Sequence, residues 1–199
     1  MDFSVATNFD DRLLEGLEGL PVREVFGKLP ADPLGGGRAS YMLSRLSRRA
    51  LAAHVQDAHR RSIRFNYLLN AACLDNREWT RKGQQEIRGF LDWLAEIEVD
   101  AVTVSLPYLL VLIKRCYPQF RVTVSVFAGV DHVQKAKVWE ELGADCITLE
   151  SLSVNRRFSL LANLRKSVKC DLMLLVNTNC LQSCPFSQAH MVALSHASQ

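Results

Sequence analysis

The stretch AVTVSLPYLLVLIKRCYPQFRVTVSVF, residues 101–127, decides how the chain is read. Both of its ends are short runs in which Val alternates with Thr or Ser, the composition of a half-buried strand. Between them, residues 109–116 are apolar with helical spacing, and Pro107 stands where a first-turn proline belongs, since its missing N–H would find no intrahelical partner there anyway. A strand, a helix and a second strand inside 27 residues make a βα unit feeding a parallel strand.

The same alternation continues on both sides. Strand-like runs of five to eight residues cover 3–7, 22–27, 63–70, 101–105, 121–127, 145–150 and 171–177. Stripes with helical spacing separate them: Leu13, Leu14, Leu17 and Leu20; Leu43, Leu46, Ala50 and Ala53; Ile87, Phe90, Leu91 and Leu94; then 109–116, 133–142 and 158–168. Gly143 stands as a helix stop before the strand that Ala144 and Asp145 begin. From the fourth strand onward the units start at residues 101, 121, 145 and 171, a repeat suited to a TIM-like (β/α) barrel. A doubly wound open sheet is the alternative, but no Gly-rich phosphate turn follows the first strand to mark a dinucleotide fold. The expected architecture is therefore one (β/α) barrel domain over residues 1–199, incomplete, with seven strands and the eighth βα unit missing at its C-terminal end. Its first and seventh strands would have open edges, to be closed by a partner subunit or by a further C-terminal segment.

Composition narrows the class. The chain has 199 residues, 48% apolar and 23% charged, enough for a hydrophobic core and unlike a disordered tail or a small disulfide scaffold. A net charge of +3 dictates no partner. No run reaches the roughly 18–20 apolar residues of a membrane span. The start, Met-Asp-Phe-Ser, lacks the basic and apolar regions of a secretory signal, so a cytoplasmic location is expected. In a reducing compartment the six cysteines are not a disulfide framework. Cys116, Cys146 and Cys170, set in or at the end of apolar runs, read as small buried hydrophobes.

Chemistry in a (β/α) barrel sits at the carboxyl ends of its strands. Those ends carry small and polar side chains, among them Asn70, Ser105 and Asn177, suited to a pocket for a polar ligand or simply to turns. Beyond the last strand, Cys180-Leu-Gln-Ser-Cys184-Pro leads on to His190 and His196, a dense soft-ligand cluster. Cys180 and Cys184 are metal-ligand candidates, with Cys73, at the end of the third strand, as a possible third. An iron–sulfur cluster is the first choice of cofactor. Zinc is the second, because only five residues separate the second cysteine from the first histidine.

Two further features precede the third strand. Gly35-Gly-Gly-Arg38 resembles a phosphate cradle without the P-loop ending, and Arg38 could grip a carboxylate or phosphate; the other reading is a flexible loop. Arg45, Arg48, Arg49, Arg60, Arg61 and Arg64, opposed only by Asp57, could attract RNA or another polyanion, or form the solvated face of a helix. His54 and His59 have no obvious acidic partner and read as surface residues. No nucleophile–base pair, Gly-x-Ser-x-Gly elbow or His-Glu-x-x-His helix stands out.

Taken in order, Gly35-Gly-Gly-Arg38, Asn66-Tyr-Leu-Leu-Asn70, Thr103-Val-Ser-Leu-Pro107, Leu142-Gly-Ala-Asp145, Asn155-Arg156 and the run from Asn177 through Cys180, Cys184-Pro185 and His190 to Ser195-His196 resemble the collagenase-like peptidase family, U32. The resemblance spans the chain and implies a TIM-like barrel. It also implies one of two activities: the protease label of some members, or iron–sulfur-dependent, oxygen-independent hydroxylation of RNA bases or of a ubiquinone precursor, with prephenate as the oxygen source in several cases. In the hydroxylase group four cysteines hold the cluster, and Cys180 and Cys184 match two of those positions; the usual arginine after Cys-Pro-Phe is Ser187 here.

Three functions follow as expectations. The first is a hydroxylase, or one component of it, in which Cys180 and Cys184 hold the cluster, Asn177 and His190 orient ligands or substrate, and Arg38 and Asn70 bind an anionic small molecule or RNA. The second is a peptidase, and the third a non-catalytic subunit docking through open strand edges.

Overall fold

The computed structural model describes residues 2–37, 45–178 and 180–199. Seven strands, β1 (Phe3–Ala6), β2 (Val22–Gly27), β3 (Arg64–Leu69), β4 (Ala101–Val104), β5 (Arg121–Val124), β6 (Cys146–Thr148) and β7 (Asp171–Met173), form one sheet in sequence order, each neighbouring pair parallel. The helices α1 (Asp11–Leu17), α2 (Arg48–Arg60), α3 (Arg81–Glu96), α4 (Pro107–Cys116) and α5 (Val133–Glu141) follow the first five strands in turn. α6 (Ser151–Val154) and α7 (Phe158–Ser167) follow β6, and α8 (Ser187–Ala197) follows β7. A doubly wound sheet would reverse its strand order at a switch point; this order never reverses, and the sheet curls into an incomplete TIM-like barrel. At its amino end Asp171 of β7 accepts from Arg121 of β5 at 2.5 Å and from Arg23 of β2 at 3.4 Å, drawing the second and seventh strands together. No described helix is long and apolar enough to cross a membrane.

The two faces of the sheet differ in chemistry. Val25, Phe65, Tyr67, Leu69, Val102, Val104, Val122 and Val124 are fully buried on the helix side. There they meet the stripe of Ile87, Phe90, Leu91 and Leu94 on α3, with the Tyr67 and Phe90 rings edge-to-face at 5.6 Å. Each such side chain contributes roughly 1.5–3 kcal/mol by leaving water.

The inner face is polar. Ser4 Oγ and Asn66 Nδ2 donate to Glu24 Oε1 at 2.8 and 3.0 Å, and Thr103 Oγ1 donates to Asn66 Oδ1 at 2.9 Å. Glu24 is in register with Arg64 and Asn66 with Ala101, so this row climbs two residues at each of those steps, the stagger by which a sheet closes into a barrel.

Local chemistry explains the helix ends. Asp10, Ser47, Thr80 and Glu150 cap α1, α2, α3 and α6 with their side chains, Pro107 opens α4, and Gly143 takes φ +107° after α5. Several strands stop earlier than their composition predicts. β5 ends at Val124 because Ser125 Oγ accepts from Phe127 N and starts a short 3₁₀ turn, and β7 ends at Met173. The segment expected to be strand to residue 177 and then a ligand cluster instead leads into α8. Cys116, expected in the core, is exposed at the end of α4.

Candidate active site at the carboxyl rim

Immediately after β2 the chain folds back on itself around Asp32. Its Oδ1 accepts from the backbone N–H groups of Leu34 and Gly35 at 2.9 and 2.8 Å. Its Oδ2 accepts from the Tyr67 hydroxyl at 2.8 Å and lies 3.2 Å from Lys28 Nζ. The side chains of Lys28 and Asp32 are both 0% exposed. Tyr67 in turn accepts from Leu29 N at 3.0 Å. Burial, and then the Asp32 charge, push the Tyr67 phenol well above its usual range, so it stays a donor at any physiological pH. Lys28 Nζ makes no hydrogen bond among the described residues beyond its ion pair with Asp32. A sealed ammonium with donors to spare is costly and invites an acceptor.

The glycine loop lies directly over this lysine. A methyl group on Gly36 would stand 2.9 Å from Lys28 Cδ and 3.0 Å from Lys28 Cε and Asn70 Oδ1, so only glycine lets the backbone approach this closely. The loop is neither a phosphate cradle nor slack. Gly35 N donates to Asp32, Gly36 N to Ser198 Oγ at 2.9 Å and Gly37 N to Asn70 Oδ1 at 2.9 Å. Those amides are all engaged inside the protein. Arg38 lies outside the described residues.

Asn70 links this loop to the inner face. Besides accepting from Gly37, it donates through Nδ2 to Ser125 Oγ at 3.3 Å, and its backbone carbonyl accepts from Ser105 Oγ at 3.0 Å. The ends of β3, β4 and β5 thereby meet in one buried polar group. Asn70 was legible as a strand-end amide, and Lys28 as the residue that follows the second strand-like run; its pairing with Asp32 and Tyr67 was not, because those partners come from a turn and from the next strand.

The last residues of the chain complete the rim. Ser195 Oγ accepts from Ala72 N at 2.8 Å, Ser198 O accepts from Asp32 N at 3.1 Å, and Gln199 Nε2 donates to Leu34 O and Cys73 O at 3.2 and 2.8 Å. The segment that departs from β7 thus returns to the loops after β2 and β3.

The remaining expected site residues do not join this group. Asn177 and His190 are exposed, as is Cys180, while Cys184 and Cys73 are half-buried. Among the described residues no three His, Cys, Asp or Glu side chains converge to hold a metal.

Two other expectations need correction. His54 is 3% exposed, with Nε2 2.9 Å from Thr7 Oγ1 and Nδ1 3.9 Å from Asp11 Oδ1, and His59 pairs with Asp100 at 2.8 Å. Thr7, His54 and Asp11 fall in the order of a hydrolytic triad, a pairing that the 47-position separation of Thr7 and His54 hid from the sequence. Thr7 is 2% exposed and the Phe9 and Phe65 rings lie against His54, so the arrangement ties α2 to β1 and offers a substrate no approach. Burial lowers the pKa of His54, which keeps the ring neutral. Of the six arginines of the patch, Arg61 meets Asp57, Glu15 and Glu18, Arg60 meets Asp57, and the Arg48 guanidinium lies 4.7 Å from the Trp93 ring centroid, while Arg45, Arg49 and Arg64 are exposed.

Comparison with known proteins agrees with this geometry. The sequence profile of Peptidase family U32 matches residues 36–173. The chain is 38% identical over 174 residues to the "Uncharacterized protease MJ1657" of Methanocaldococcus jannaschii, covering 87% of this chain and 51% of that protein. It thus spans about half the length of this curated relative. The solved structure described as "The Structure of the U32 Peptidase Mk0906" superposes with a TM-score of 0.83 at 25% identity, over 100% of this chain and 77% of that one. A citrate synthase, SbnG, has a TM-score of 0.52 at 10% identity, over 88% of this chain and 78% of that one, a likeness of fold alone. With a family profile covering more than half its length and a relative this similar, the chain belongs to peptidase family U32.

Proposed function

We propose that the carboxyl rim of this barrel binds the polar part of a substrate, with the chain serving as the barrel of a family U32 enzyme. The observation that carries the reading is the inner face. Barrels of this kind usually fill their interior with branched aliphatic side chains, whereas here Glu24, Asn66 and Thr103, and above them Asn70, Ser105 and Ser125, are buried and bonded to one another. Burying that much polarity adds little stability, but side chains held in place by mutual hydrogen bonds are preorganised to orient a ligand. The reaction we assign is hydrolysis of a peptide, carried over from the description of the relative as a protease. Oxygen-independent hydroxylation, which the family resemblance implies, ranks behind it because Cys180 and Cys184 gather no third ligand among the described residues.

The test is digestion of gelatin by the purified full chain and by Asn70→Leu, which removes the bonds to Gly37 and Ser125 at similar size. We expect cleavage by the parent chain and at least a tenfold loss in the variant, with the fold retained by circular dichroism. Equal cleavage by both would remove the rim from the reaction, and no cleavage by the parent would remove the hydrolytic assignment.

A further inference from the structure

We propose that Lys28 anchors an oxyanion of the substrate, a carboxylate or phosphate group, in a site that the Gly35, Gly36 and Gly37 loop covers and that Ser198 and Gln199 latch shut. The inference rests on the rim reading above and gives it a ligand chemistry. Lys28 follows β2 at the carboxyl end, where the barrel places its chemistry, yet its ammonium is wholly buried and has a single partner among the described residues. Asp32 does not need all of Lys28 for its own satisfaction, since it already accepts from two backbone N–H groups and the Tyr67 hydroxyl. Among the described residues no further acceptor meets the cation's unmatched donors, and an oxyanion supplies several at once. The cover is a backbone without side chains. Gly36 sits directly over Lys28 and Asn70, and withdrawing a glycine loop uncovers them without moving any side chain of its own.

What holds that cover down comes from the far end of the sequence. Ser198 Oγ accepts from Gly36 N, its single proton shared between Leu194 O at 3.1 Å and Gly36 O and Ser195 O at 3.2 Å, and Gln199 Nε2 reaches Leu34 O. The contacts to Gly36 and Leu34 span more than 160 residues and are hydrogen bonds rather than apolar packing. Along α8 itself only Ser195 is buried. A helix fastened mainly by the polar groups at its end can release as a unit, because water replaces those bonds readily.

The experiment uses the full chain with two ligands, inorganic phosphate and succinate, and reads thermal unfolding together with reductive methylation of lysines followed by mass spectrometry. At least one of the two anions is expected to raise Tm progressively with concentration, as a ligand that binds only the folded state must. The anion that does so identifies the oxyanion class. Lys28→Met should abolish that rise. In the parent chain Lys28 should be methylated at least tenfold more slowly than the exposed Lys82, should become reactive in Ser198→Ala, and should be protected again by the binding anion. The methylation measurement keeps the proposal testable if Lys28→Met does not fold. The proposal is overturned if neither anion raises Tm in the parent chain or in Ser198→Ala, if Lys28→Met keeps the full rise, or if the anion leaves Lys28 methylation in Ser198→Ala unchanged. Failure in this way while Asn70→Leu still loses gelatin cleavage would leave the rim reading intact and remove only its anionic anchor.

Discussion

The wall of the barrel from β2 to β5 and the segment from β7 into α8 are built from the same parallel plan and yet are held by different forces. All four residues of β4 are buried, and α3 sets Ile87, Phe90, Leu91 and Leu94 against the sheet. β7 has three residues, none of them buried, and beyond it Val176, Leu181 and Phe186 are 86%, 76% and 73% exposed. The wall is fixed by apolar burial with a few sealed polar groups set into it, and the β7–α8 segment by hydrogen bonds at its tip. The motif-rich part of the sequence is thus the loosely packed part of the molecule, while the most tightly enclosed charge, Lys28, carries no motif at all.

Substitutions should separate the two regions sharply. The largest effect is expected for Asp32→Ala, which leaves Lys28 buried without its carboxylate; breaking a sealed pair in this way costs about 3–5 kcal/mol, to be read from the midpoint of urea unfolding. A loss below about 1 kcal/mol would mean that water reaches the pair and that the wall is not sealed there. An intermediate effect concerns His54. Its pKa in the folded chain lies below the 6.5 of the free side chain, so between those two values the unfolded chain binds the proton more tightly. His54 burial should therefore be fully stabilising above about pH 6.5 and lose its contribution as pH falls through the folded value. His54→Gln should flatten that slope in a pH series of unfolding curves, and an unchanged slope would place the titration elsewhere. The smallest effect belongs to the tail: Phe186→Ser should change stability by no more than about 0.5 kcal/mol, as surface substitutions do. Alkylation of the intact protein should follow the same contrast. Exposed Cys180 reacts early and Cys146 late, because Cys146 is buried and that burial pushes its thiol up to about 11.

How much of this could be read in advance depends on the range over which each feature is specified. The seven strands were legible because each is a short β-rich run bounded by turn or cap residues, and that information lies within a few neighbouring positions. The strand ends were less so: Ser125 stops β5 by capping a turn, a choice a Val-rich run does not announce. Asn70 was visible as an amide at a strand end, although its partners Gly37 and Ser125 were not. The glycine run was conspicuous but stayed open between a phosphate cradle and a flexible loop, since glycines that accept a phosphate and glycines that let a backbone lie against a lysine look alike until the lysine is in place. His54 looked like a surface residue because Thr7, Phe9 and Phe65 come to it from two strands.

The order of strands and helices, the parallel pairing and the family follow from the sequence by itself, because hydrophobic periodicity and turn chemistry are local and leave few ways to arrange alternating elements. The sealed Lys28 with Asp32 and Tyr67, the polar bridge through Asn70 and the closure of the rim by Ser195, Ser198 and Gln199 were decided only in three dimensions. These pairings link residues up to 165 positions apart, and whether a polar side chain is an ordinary surface group or an enclosed one depends on what the rest of the chain places around it.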